Sequence, residues 1–105
     1  MQTQKIGQLQ VDLLLESESA FSPLDFVVPG ITPEQMEAHA HWLKPAFVTA
    51  DNRVNMSFHS YILKTPRHTI LVDACTGNDK ERPLRPTWHR QKFTYIDNMA
   101  RLGVK

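Results

Sequence analysis

Two apolar-rich runs, Val54 to Lys64 and Thr69 to Ala74, are separated only by Thr65-Pro66-Arg67-His68. Runs of this length, rich in β-branched and aromatic residues and divided by a proline-containing turn, read as strands, and their simplest pairing is an antiparallel hairpin. In the first run Val54, Met56, Phe58 and Ile62 share one face, with Tyr61 and Leu63 on the other. The second run is apolar on both faces, which is the pattern of a central, buried strand.

The flanking sequence adds a strand and two helices. Residues 6 to 15 alternate: Leu9, Val11, Leu13 and Leu15 fall on one face, Gln8, Gln10 and Asp12 on the other. That spacing predicts a strand with its leucine side inward and its polar side wet. Ser17 to Ser22 reads as a polar break and Pro23 to Gly30 as a loop. A helix is expected to begin at Thr32, with Thr32 as N-cap, Pro33 at the first helical position and Gln35 closing a capping box. Ile31 and Met36 are spaced for a hydrophobic staple. Met36, His39, Ala40 and Leu43 form its inward face, and Pro45 ends it. Asp51-Asn52-Arg53 reads as a turn. A long polar loop over Gly77 to Arg90 leads to a last helix, about Gln91 to Leu102, with Gly103 as its C-terminal stop.

Composition narrows the function classes. The chain has 105 residues, one cysteine and a formal charge of +1. Cys75 rules out an intrachain disulfide. The N-terminus lacks the apolar core of a signal peptide, and no run has the length of a membrane span. These features point to a cytoplasmic chain without a membrane partner. Lys80, Arg82, Arg85, Arg90 and Lys92 are interleaved with Asp79 and Glu81, which fits a solvated loop better than a nucleic-acid surface. Neither a serine nucleophile elbow nor a glycine-rich phosphate loop occurs.

Three stretches carry a likeness to a known family: Phe58-His59-Ser60-Tyr61-Ile62-Leu63-Lys64-Thr65, then Thr69 through Lys80, then Arg82-Pro83 through Trp88-His89 with the helix ending Arg101-Leu102-Gly103-Val104. Leu24-Asp25-Phe26 and Pro29 through Gln35 add to it. From about residue 8 onward the chain resembles the metallo-β-lactamase superfamily of metal-dependent hydrolases, near the lactonase and organophosphate-hydrolase types. The family often has Asp-Thr-Gly after the third strand; here Asp73-Ala74-Cys75-Thr76-Gly77 makes a longer turn. The resemblance implies an α/β (α+β) fold: the N-terminal half of an αββα sandwich, with mostly antiparallel strands and two helices. It further implies one partial domain over residues 1–105, ending before the H-x-H-x-D-H metal motif. Zinc or another divalent ion is implied for the full-length family, and no cofactor for this chain.

Among individual residues, the resemblance implies that Asp73 sits at a strand end beneath the family's metal site, where its carboxylate would orient the ligand-bearing loop. The plain alternative is an aspartate that caps a turn. His59, on a strand face with Ser57 and Tyr61, and Trp88, in the long loop, are candidates for lining a pocket. The alternatives are a structural histidine and a tryptophan that packs the loop onto the last helix. His39-Ala40-His41 begins like the metal motif, but Leu43 and Lys44 stand where Asp and His belong. No catalytic or metal-ligating residue is therefore assigned. Two readings follow. One is a segment of a metal-dependent hydrolase acting on lactone, phosphotriester or other ester substrates, inactive as this chain alone. The other is a non-catalytic interaction or self-associating module, forming a homo-oligomer through an uncovered apolar sheet face, on Leu71 or Val72.

Overall fold

The computed structural model describes residues 3–104. Its elements are β1 (Thr3–Ile6), β2 (Leu9–Pro23), α1 (Leu24–Val27), α2 (Pro33–Leu43), β3 (Arg53–Lys64), β4 (Thr69–Val72) and α3 (Tyr95–Arg101). The class is α+β: a four-stranded antiparallel sheet in the order β1-β2-β3-β4, with three helices. Two helices were expected; the third, α1, is a single turn. The chain divides into two compact units, one of residues up to Ser17 together with Ser57 onward, the other Glu18–Met56. Strands β2 and β3 contribute residues to both.

In the first unit, β1 and β2 form a hairpin that the alternation left unread. Ile6 pairs with Leu9 across Gly7-Gln8, and Gly7 takes a φ of 62°. A two-residue hairpin loop needs such left-handed backbone, which glycine supplies without a Cβ penalty. β3 and β4 pair antiparallel as expected, with Tyr61 opposite Val72 and Lys64 opposite Thr69. β4 is shorter than expected and ends at Val72, because Asp73 turns to a φ of 68°. It is also not central and buried. It is an edge strand with all four residues exposed. Helix α3 starts at Tyr95 and not Gln91, because the preceding backbone is already engaged: the Asn78 side chain brackets Phe93 (2.8 and 3.0 Å), and Asp79 N–H donates to the Gln91 carbonyl (2.9 Å).

The largest correction concerns which face of β2 is buried. Asp12 and Leu14 are wholly buried and Glu16 nearly so, while Leu15 is 39% exposed. The core of this unit is Leu14, Ile62 and Tyr95, with Phe93, Met99, Leu102 and Val104 packed against it. Helix α3 and its flanks therefore cover the face carrying Asp12, Leu14 and Glu16. Strand alternation then sends Val11, Leu13 and Leu15 to the opposite face. That face is bare.

The second unit has its own core of Leu24, Met36 and Val48, with Ile31, Ala40, Leu43 and Val54 around it. The capping box at Thr32 and Gln35 is complete. His39 departs from the expected inward face: it is exposed and accepts a hydrogen bond from the Trp42 indole at 3.1 Å. The Ser17–Ser22 break does not exist either, since β2 runs on to Pro23. The Arg53 side chain donates to the carbonyls of Ala20 and Phe21, and such tertiary hydrogen bonds override the weak strand preference of serine and alanine.

Candidate functional site: the turn after β4

All the residues of this site belong to the first unit. Where β4 ends, the backbone enters the left-handed region at every second residue: Asp73, Cys75, Gly77 and Asp79. Only Gly77 does so without a Cβ penalty; there a Cβ would also approach the Lys80 side chain to 3.1 Å. For a residue such as Cys75 the conformation is unfavourable by about 1–2 kcal/mol, so surrounding bonds must hold it.

Glu16 supplies those bonds from β2. Its carboxylate accepts from Thr76 N–H (3.1 Å) and Gly77 N–H (2.9 Å), and from the Thr76 hydroxyl. Arg82 fastens the same stretch by donating to the Thr76 carbonyl at 3.0 Å. Asp73 itself accepts from Cys75 N–H at 2.7 Å, an Asx turn closed two residues on. Its carboxylate thus caps its own turn.

Beneath the turn lies Ser60 of β3, wholly buried. Its Oγ is 2.7 Å from the Asp73 carbonyl, 2.6 Å from Tyr95 Oη and 3.3 Å from Cys75 Sγ. A hydroxyl has one proton and two lone pairs. Ser60 must donate to the carbonyl, which can only accept, so Tyr95 O–H and Cys75 S–H donate to Ser60. The electrostatics agree: burial pushes both the Cys75 thiol and the Tyr95 phenol above their ordinary pKa values. Both stay protonated at neutral pH. A nucleophile needs an adjacent base or a depressed pKa, and this network offers Ser60 and Cys75 neither.

The divalent metal implied by the resemblance does not fit these residues. Among the described residues, no three of His, Cys, Asp and Glu come together to hold an ion. Near the turn, the Glu16 oxygens are taken by backbone donors and Cys75 is a neutral thiol. The histidines are dispersed: His39 bonds Trp42, His59 bonds Ser57 at 2.8 Å, and His89 Nδ1 accepts from Arg82 N–H at 2.8 Å.

The two pocket candidates do not meet. His59 lies on the bare sheet face, stacked edge-on against Tyr61 at 5.1 Å between ring centres. Trp88 packs edge-on against Phe58, one residue away on the strand and therefore on the other face. It packs the loop onto the sheet at Phe58, whereas the two readings from sequence were a pocket wall and packing against the last helix. Glu16, Ser60 and Tyr95 escaped sequence reasoning. Each is one polar residue in an ordinary strand or helix, and only the register of β2, β3 and α3 unites them.

No protein-family model, curated protein or solved structure matches the chain.

Proposed function

We propose that this chain is the N-terminal portion of a metal-dependent hydrolase of the metallo-β-lactamase type, acting on lactone, phosphotriester or other ester substrates. In such an enzyme it serves as scaffold and does not carry the catalytic centre. The observation that supports this is the asymmetry of the sheet in the first unit: helix α3 covers one face, and the other is apolar and bare. A four-layer helix–sheet–sheet–helix sandwich is built from halves of this kind, because the inner faces of its two sheets cover one another. The Glu16 clamp on the turn at Asp73 then has a purpose, since it would hold rigid the strand end that underlies the family's metal site. Metal and water-activating chemistry belong to ligands outside the described residues, so no hydrolytic step is assigned to this chain.

Two measurements test the reading. Downstream of this segment, the reading frame should encode a strand followed by H-x-H-x-D-H; a frame without that motif would refute it. The purified chain should bind less than stoichiometric zinc and leave lactone and phosphotriester substrates intact. Turnover accompanied by one bound metal per chain would contradict the scaffold role.

The bare face also favours a second reading, a docking module without catalysis. Leu15, Tyr61, Ile70 and Val72 are each about two-fifths exposed or more. A contiguous apolar surface of this kind marks an interaction site.

A further inference from the structure

We propose that the turn at Thr76 and Gly77 is a preformed binding site for a small oxyanion, filled in this chain by its own Glu16 carboxylate. The site does not depend on the hydrolase or the docking reading.

Its donors come from one short stretch of backbone. Left-handed residues alternate through the turn, with a φ of 59° at Cys75 and 85° at Gly77. Such alternation turns neighbouring N–H groups to one side and makes a concave nest that favours an anion. Thr76 N–H and the Thr76 hydroxyl donate to one Glu16 oxygen, and Gly77 N–H donates to the other at 2.9 Å. Thr76 N–H also lies 3.2 Å from that second oxygen. A single turn therefore engages both oxygens, and Glu16 is only 8% exposed.

Two cations strengthen the nest without pairing with its occupant. Arg82 donates to the Thr76 carbonyl at 3.0 Å. That carbonyl and the Gly77 N–H belong to one peptide group, so the guanidinium polarises the N–H that faces the carboxylate. The Lys80 ammonium lies over Gly77, 3.2 Å from where a Cβ would stand. Among the described residues, the ion pairs involve Asp12, Asp79 and Glu81, and not Glu16. The neighbouring acids are committed elsewhere: Asp73 accepts from Cys75 N–H, and Asp79 is 3.1 Å from the Lys92 ammonium. The nest thus faces one anion. Its donors meet the pair of carboxylate oxygens, and none of these contacts needs the covalent link to β2.

Cutting that link while keeping the turn is the test. Glu16→Ala removes the resident anion, and formate is the probe, because it supplies a carboxylate with a hydrogen where the Glu16 Cγ stood. A ligand that binds only the folded chain raises Tm with its concentration. Up to about 0.5 M formate, the Tm of Glu16→Ala should rise about 4 °C or more above that in equal sodium chloride, and the rise should level off. Wild type and Glu16→Gln, whose nests are filled, should show no such difference. Nor should Leu14→Ala, which is weakened in the core and keeps Glu16. The Thr76 and Gly77 amide signals in NMR spectra should move with formate in Glu16→Ala alone. If Glu16→Ala is unfolded in chloride, formate should restore its far-UV circular dichroism, and failure to do so would overturn the proposal. An equal response to formate and chloride, a similar rise in all four chains, or amide shifts centred away from the turn would overturn it as well.

Discussion

The two faces of the first unit's sheet reverse the usual division of labour. The helix-covered face buries two carboxylates, Asp12 and Glu16, and the Ser60 hydroxyl, while the bare face is apolar and without formal charge. The buried polar groups persist because each is satisfied. Asp12 accepts from the Thr3 hydroxyl (2.6 Å) and the Gln10 amide (3.1 Å), with the Lys64 ammonium 3.8 Å away. Glu16 holds the Thr76–Gly77 backbone, and Ser60 joins three elements. Hydrogen bonds from Glu16 and Ser60 thus join the apolar contacts of Leu14 and Ile62 in fastening the covered layer to the sheet. The apolar residues opposite lack a covering layer within the unit. The difference teaches that the apolar side of a strand need not face its own unit's core when the polar groups on the other side find partners there.

Adjacent residues give the sharpest way to break this comparison. Leu14→Ala should cost about 3 kcal/mol, since it opens a cavity among Ile62 and Tyr95. Urea unfolding of dilute protein would measure this. Glu16→Ala should follow at about 2 kcal/mol, because it strands the Thr76 and Gly77 donors; Glu16→Gln keeps one acceptor and should lose less. An equal loss for both would show that charge, and not hydrogen-bond acceptance, holds the turn. Ser60→Ala should cost about 1–2 kcal/mol by unpairing Tyr95 Oη and the Asp73 carbonyl, again read by urea unfolding. Leu15→Ala, one residue from the first site, should stay below about 1 kcal/mol in dilute protein, since Leu15 is already exposed. A Leu15 loss as large as that at Leu14 would remove the distinction between the faces.

A pH dependence refines the same contrast. Burial pushes the Asp12 carboxyl up, but the Thr3 and Gln10 hydrogen bonds and the Lys64 charge outweigh it, so its folded pKa lies below the ordinary value. A depressed folded pKa stabilises the fold above the unfolded carboxylate range. That contribution fades as pH falls below about 4 and is lost through the folded pKa. Thermal unfolding followed down the acid limb should therefore be less steep in Asp12→Asn. An unchanged slope would assign acid sensitivity to other carboxylates.

Much of the fold was legible because it is local. The capping box at Thr32 and Gln35 and the β3–β4 hairpin depend on residues a few positions apart, and each formed where its spacing indicated. Misreadings arose where distant partners intervened. Arg53 carried β2 through the serine-rich stretch, and Asn78 kept Phe93 out of α3. For the candidate site, Asp73 was legible as a turn residue at a strand end, but the Glu16 clamp was not, because 60 residues separate Glu16 from Thr76.

By itself, then, the amino-acid sequence determined the start of α2, the β3–β4 hairpin and that β2 has one apolar and one polar side, because backbone periodicity and capping act over a few residues. Only the tertiary structure decided which side is buried. Alternation distinguishes the two faces of a strand but does not say which one another layer will cover. Here α3 covered the polar face, whose carboxylates and hydroxyl found partners, and left Leu15 on the apolar face exposed.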